Sequence, residues 1–172
     1  MKAHNSTVYT LERLFAFNKL FYSMRKAQNV LIIALSALVI AISVLYFAFI
    51  GFDTTIAISL ACIIAIDLLL AFVIFILPKF TLKKSPVLDS VNEYCFYDDR
   101  LHVTTTGSDL TGSSEIRYEK LHKVCVTGDT VYIFISSRQG FIVDKSGFDE
   151  GSAEDVVSLI SGVLGAKKVK IM

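Results

Sequence analysis

From Ala27 to Phe52 the chain runs 26 residues without a charge, and from Thr54 to Pro78 another 25 carry only Asp67. A helix rises about 1.5 Å per residue, so ~20 apolar helical residues are enough to cross a hydrocarbon core of ~30 Å. The pattern predicts two transmembrane helices, about 29–50 and 54–77, folded back as a hairpin around residues 51–53. A mean hydropathy of +0.59 agrees with such a class. Beyond Lys79 the texture changes to short alternating segments rich in Gly, Ser and Asp. Four regions follow: a segment 1–28 with an amphipathic helix, the hairpin 29–78, a basic linker 79–87, and a domain 88–172 expected to fold by itself.

Charge orients this arrangement. Residues 1–28 hold five basic residues against Glu12, residues 86–172 hold nine basic against thirteen acidic, and the turn between the two apolar runs has no Lys or Arg. Basic residues gather on the cytoplasmic side of spans. Both termini are therefore expected in the cytoplasm of a multi-pass membrane protein, with Arg25, Lys26, Lys79, Lys83 and Lys84 as a basic collar at the bilayer surface. The lipid bilayer is then one partner. The acidic domain opposes nucleic-acid binding, which needs a basic stripe to neutralise phosphates.

Cys62, Cys95 and Cys125 give no disulfide framework. The three histidines, His4, His102 and His122, have no metal-ligand spacing with each other or with the cysteines, so neither a metal nor a cofactor is expected. Asn5-Ser6-Thr7 matches a glycosylation sequon, which carries no meaning on a cytoplasmic terminus.

Thr10 to Gln28 shows helical periodicity in Leu11, Leu14, Phe15, Phe21 and Tyr22. Ala34, Ala37, Ala41 and Ala48 in the first apolar run, and Ala57, Ala61 and Ala65 in the second, are small residues that could form the seam of the hairpin. In the domain, period-two segments at 91–97, 101–106, 112–118, 121–127, 130–136 and 140–144 predict strands separated by turns. Ser152 then caps a helix with Glu154 and Asp155 in its first turn, an apolar face of Val156, Val157, Leu159, Ile160, Val163 and Leu164, and Gly165 as its stop. The fold class expected is a membrane α-helical hairpin, preceded by an amphipathic helix and followed by a small α+β PH-like domain of six to seven antiparallel strands closed by a C-terminal helix.

The segments Ile116-Arg-Tyr118-Glu-Lys-Leu121-His-Lys123-Val124, Thr130-Val-Tyr132-Ile-Phe134 and Phe141-Ile-Val143-Asp-Lys145-Ser-Gly-Phe148 resemble the YcxB-like family of small bacterial membrane proteins. The order of parts carries the likeness, including Tyr9-Thr10-Leu11 ahead of the aromatic helix. The resemblance implies two spans and a cytoplasmic PH-like domain, and brings no activity or site residues with it.

No phosphate-binding glycine loop, nucleophile elbow, HExxH or CxxC is present, so the domain is not expected to be an enzyme. Lys120, Lys123, Arg138 and Lys145 are its available cations for a lipid headgroup, but they are not clustered in one loop. Asp67 falls near the middle of the second apolar run, where an aspartate costs ~2.5–3.5 kcal/mol in a membrane and needs a partner. Ser36 lies at matching depth and could donate a hydrogen bond. Helical phase puts Asp67 away from the alanine stripe, which would aim it at another subunit. The expected function is a non-enzymatic membrane-anchored interaction or scaffold module acting on an unidentified protein partner or a second copy of itself. The alternatives are an accessory subunit of a transporter or channel that uses Asp67, and a lipid-sensing module.

Overall fold

The computed structural model describes residues 1–24, 26–50, 54–72, 76–108, 110–137, 139–165 and 168–171. The chain divides into two units, one of residues 1–18 and 84–172 and one of residues 19–83.

The first unit is an α+β fold whose described residues form a five-stranded and a four-stranded sheet. The five-stranded sheet contains β1 (Ala3–Val8), β2 (Val91–Phe96), β3 (Arg100–Thr106), β4 (Thr111–Arg117) and β8 (Phe148–Glu150), in the order β4-β3-β2-β1-β8. The four-stranded sheet contains β5 (Lys123–Val126), β6 (Thr130–Phe134), β7 (Gly140–Asp144) and β9 (Val169–Ile171), in the order β7-β6-β5-β9. Helix α1 (Leu11–Met24) follows β1, and α5 (Ala153–Leu164) precedes β9. The PH-like expectation of six to seven antiparallel strands is corrected in two respects. Nine strands occur among the described residues, and β5 and β9 run parallel.

The N-terminal segment departs furthest from expectation, because it opens with a strand inserted between β2 and β8. Pairing with β2 runs unbroken from Ala3↔Phe96 to Val8↔Val91. The connection from β7 to β8 must pass close to β1: a Cβ placed on Gly147 would collide with the Ser6 carbonyl. Only glycine fits there.

Between the sheets lie Tyr94, Phe96, Leu101 and Val103 from one and Val124, Val131, Ile133 and Val143 from the other, with Tyr118 and Leu121 between. All five residues of β6 are buried, since the Phe17 ring covers its far face, stacked 5.4 Å from Phe134 and 5.9 Å from Tyr132. Helix α5 closes the core with Val156 and Ile160, while Val163 stays 45% exposed. Ser152 caps it by accepting from the Asp155 amide at 3.2 Å, and Gly165 ends it at φ +78°.

In the second unit, α2 (Lys26–Ile50) and α3 (Thr54–Ala71) pack on each other, and α4 (Leu77–Lys83) follows. Among the described residues no helix is long and apolar enough to cross a membrane. That finding overturns the two spans expected at 29–50 and 54–77, and with them the transmembrane hairpin and the multi-pass cell-membrane location. Helix α3 has 18 residues, about 27 Å at the helical rise and short of a ~30 Å core, and it carries Asp67. The first turn of α2 carries Lys26, Gln28 and Asn29. The turn expected at 51–53 lies outside the described residues.

The alanine seam is corrected as well. Ala34, Ala37, Ala41, Ala48, Ala61 and Ala65 are exposed, and the half-buried positions are Ser36 and Ser43 on α2 with Ala57, Leu60, Ile63 and Asp67 on α3. Ser36 and Asp67 bond across the pair, while the Ser43 hydroxyl donates to the Val39 carbonyl of its own helix. Leu38, Ile42, Leu45 and Phe49 on α2, and Ile58, Ile66, Leu68 and Leu69 on α3, are exposed.

Candidate functional site

A sheet edge presents backbone N–H and C=O groups that another strand can pair with, unless something occupies them. The outer edges of β7 and β4 are treated in opposite ways.

At β7, Phe141 and Val143 sit opposite Ile133 and Val131 of β6, so Ile142 and Asp144 turn their backbone groups outward. Among the described residues no strand pairs with that edge. The Ile142 amide donates to the Tyr9 hydroxyl at 2.9 Å, Tyr9 lies 2.8 Å from the Tyr94 hydroxyl, and Tyr94 donates to the Ile142 carbonyl at 3.0 Å. Two residues along, the Asp144 amide donates to the Thr7 hydroxyl at 2.9 Å, Thr7 donates to the Asn5 side-chain carbonyl at 2.7 Å, and the Asn5 amide donates to the Asp144 carbonyl at 2.7 Å. Each relay leaves and returns to one β7 residue. Asn5, Thr7 and Tyr9 alternate along one strand, so a single face of β1 and its continuation replaces the missing neighbour. The Arg13 guanidinium pairs with the Asp144 carboxylate and donates to the Val8 carbonyl at 2.8 Å, and the Ser146 amide and hydroxyl bind the same carboxylate at 3.0 and 2.8 Å. Burial raises the Tyr9 and Tyr94 hydroxyl pKa values, Tyr94 further because Tyr9 lies beside it.

At β4, among the described residues, only β3 pairs with the strand. Register is continuous from Thr106↔Thr111 to Arg100↔Arg117, with no bulge. Every β4 residue is exposed except the half-buried Ile116. Glu115 is held by Arg100 at 2.9 Å. Gly112 is unusual within this run. Its φ is not positive, and an added Cβ would meet nothing within 4 Å. Neither turn geometry nor internal crowding requires a glycine there. A glycine inside a strand costs stability and often marks a place where another backbone approaches closely.

Of the candidate site residues singled out in the sequence, the structure joins one pair among the described residues. Ser36 donates to the Asp67 carboxylate at 2.8 Å, linking α2 to α3 and turning Asp67 toward its neighbouring helix. Lys26 begins α2, Lys79 and Lys83 lie in α4, Lys84 follows it, and Lys83 and Lys84 are exposed. Arg25, like Arg138, lies outside the described residues. The two edge relays were missed in the sequence, although hydrogen-bonding side chains at period two in Asn5, Thr7 and Tyr9 were a readable signal.

No curated protein and no solved structure matches the chain. A family model described as YcxB-like protein matches residues 96–160, the stretch from the end of β2 into α5 that includes the open β4 edge, so over this segment the chain is similar to that family.

Proposed function

We propose that the chain is a non-enzymatic interaction module whose two-sheet unit takes an extended segment of a protein partner along the outer edge of β4. The reading rests on the contrast between the two edges, with β7 closed by side-chain relays and β4 open around Gly112. In strand addition the main-chain hydrogen bonds supply affinity, and alternate side chains supply selectivity. The exposed row Thr111, Ser113 and Glu115, flanked by Arg100, offers hydroxyls and charges for that selection.

Replacement of Gly112 by valine tests it. Valine favours strands and meets no obstacle in the free protein, so the thermal midpoint holds or rises while the partner recovered by crosslinking and copurification is lost. Ser113→Pro and Ser114→Pro provide a second arm. Adjacent strand residues point their N–H groups in opposite directions, so one proline disrupts β3 pairing and the other blocks only the partner. Undiminished partner recovery in Gly112→Val and in the folded proline variant would sink the proposal.

The exposed apolar side chains of α2 and α3 favour a second reading, in which the helix pair is the partner contact and the Ser36–Asp67 bond fixes its two helices in register. Copurification with α2 and α3 deleted separates the two. A partner retained without the helices belongs to β4, and one lost belongs to the pair.

A further inference from the structure

The registers of the five-stranded sheet align one residue from each strand across its outer face: Glu150↔His4, His4↔Cys95, Cys95↔His102 and His102↔Glu115. Directly opposed residues share a face and lie about 4.5–5.5 Å apart at Cα, so the Cα of Cys95 lies midway between those of His4 and His102, which are roughly 10 Å apart. His4, Cys95 and His102 are all half-buried, in contrast with the fully buried Tyr94, Phe96, Leu101 and Val103 of the opposite face.

We propose that this row is a divalent transition-metal site of the thiolate and imidazole type, with Cys95, His4 and His102 as ligands and Asp149 holding His4. A second observation supports it besides the row. The His4 Nδ1 lies 2.7 Å from the Asp149 carboxylate, the arrangement by which metal-binding histidines are oriented with the other ring nitrogen left for the ion. Carboxylates also stand at both ends of the row, Glu150 opposite His4 and Glu115 opposite His102. Thiolate and imidazole together select zinc-class ions over magnesium or calcium.

Among the described residues no three such side chains already converge on one point, and the His102 Nε2 lies 3.4 Å from the Thr104 hydroxyl. Loading therefore turns Cys95 and His102 to other staggered rotamers, which half-buried side chains on a sheet face can reach. The ion then sits ~2.3 Å from the sulfur and ~2.0–2.1 Å from each ring nitrogen, with a fourth position open to water. The thiol proton leaves to solvent as the metal–sulfur bond forms.

Cobalt(II) titration of the reduced full-length protein tests the site. The expected result is a thiolate-to-cobalt charge-transfer absorption that saturates at one equivalent, disappears in Cys95→Ser and persists in Cys125→Ser. His102→Ala should weaken binding at least tenfold, and Asp149→Asn should weaken it by roughly 10- to 100-fold with the band retained. A band that survives Cys95→Ser, or none at one equivalent, overturns the proposal. Unmutated protein supplies a check free of folding effects: zinc should slow alkylation of Cys95, read by peptide mass, and equal rates with and without zinc also overturn it.

Discussion

The hydroxyls of Tyr9 and Tyr94 lie 2.8 Å apart and together bind both backbone groups of Ile142, one residue of an edge strand. Tyr94 gives its only proton to the Ile142 carbonyl, so the proton between the two tyrosines belongs to Tyr9. The direction of every bond in the relay is thereby fixed: amide to Tyr9, Tyr9 to Tyr94, Tyr94 to carbonyl. Cross-strand neighbours provide the same donor and acceptor in a continuous sheet. Here two aromatic side chains provide them instead, and their rings remain in the apolar core.

Tyr9→Phe keeps the ring and breaks the relay at its first step. The buried Ile142 amide then has no acceptor, a loss of about 1–3 kcal/mol. In a domain of this size each kcal/mol lowers the thermal midpoint by about 4–8 °C. Tyr94→Phe should cost a similar amount, and the double variant less than the sum of the two, because the relay acts as one unit. Strictly additive losses in calorimetry would show that the hydroxyls act independently.

Much of the two-sheet unit was legible, and what was not has a common cause. Strand β3 shows the alternation clearly, with Leu101 and Val103 turned to the core, whereas β6 is buried on both faces and β4 was legible mainly from the turns that bound it. Strand β1 inverts the code. Its inward positions are Ala3, Asn5 and Thr7, and the last two are buried to close β7, so hydrophobic periodicity passes over them. The same residues looked like an empty glycosylation sequon. Strand β9 is too short for any period, at three residues, and its parallel pairing depends on where α5 returns the chain. In the helical pair the phase of Asp67 relative to Ala65 was readable, but which of the two faces the seam was not, because composition ranked alanine above serine as a seam former. The row His4, Cys95 and His102 was invisible for a different reason. Its members are up to 98 residues apart in sequence and meet only through strand register.

Removal of residues 1–87 should prevent the remainder of the two-sheet unit from folding. A chain beginning at residue 88 lacks β1, leaves β2 and β8 unpaired with each other, and bares the β7 edge to intermolecular pairing. Such a fragment is expected to aggregate or lack a cooperative melt, and a synthetic peptide of residues 1–18 should restore the transition. A sharp unfolding transition in the fragment alone would count against this role for β1.

Ile160 is fully buried where α5 closes the core. Ile160→Ala should cost about 2–5 kcal/mol through lost contacts and the cavity left behind. Ile160→Asp should cost more, since the carboxylate has no partner among Leu121, Val124 and their apolar neighbours. With a typical total stability of ~5–15 kcal/mol, the aspartate variant is expected to be largely unfolded by circular dichroism at room temperature. A native midpoint in that variant would place α5 off the core.

The tyrosines also set an alkaline limit on the fold. Burial raises the hydroxyl pKa values of Tyr9, Tyr94, Tyr118 and Tyr132 above the ordinary 10.0, with further contributions from Tyr9 at Tyr94, from Asp99 and Asp98 at Tyr118, and from Asp129 at Tyr132. A group whose pKa rises on folding stabilises the fold fully below its unfolded pKa and loses that contribution as pH climbs toward its folded value. Here the loss begins near pH 10, where the unfolded chain releases protons that the folded chain retains. Each such tyrosine adds up to about 1.4 kcal/mol of destabilisation per pH unit. Denaturant midpoints measured from pH 8 to 11 should therefore be flat at first and fall steeply above 10, with tyrosinate absorbance appearing together with unfolding. Tyr118→Phe should make the fall shallower. A tyrosinate signal that develops fully in the folded protein would show that these hydroxyls are open to solvent and that the relay at Ile142 is not closed.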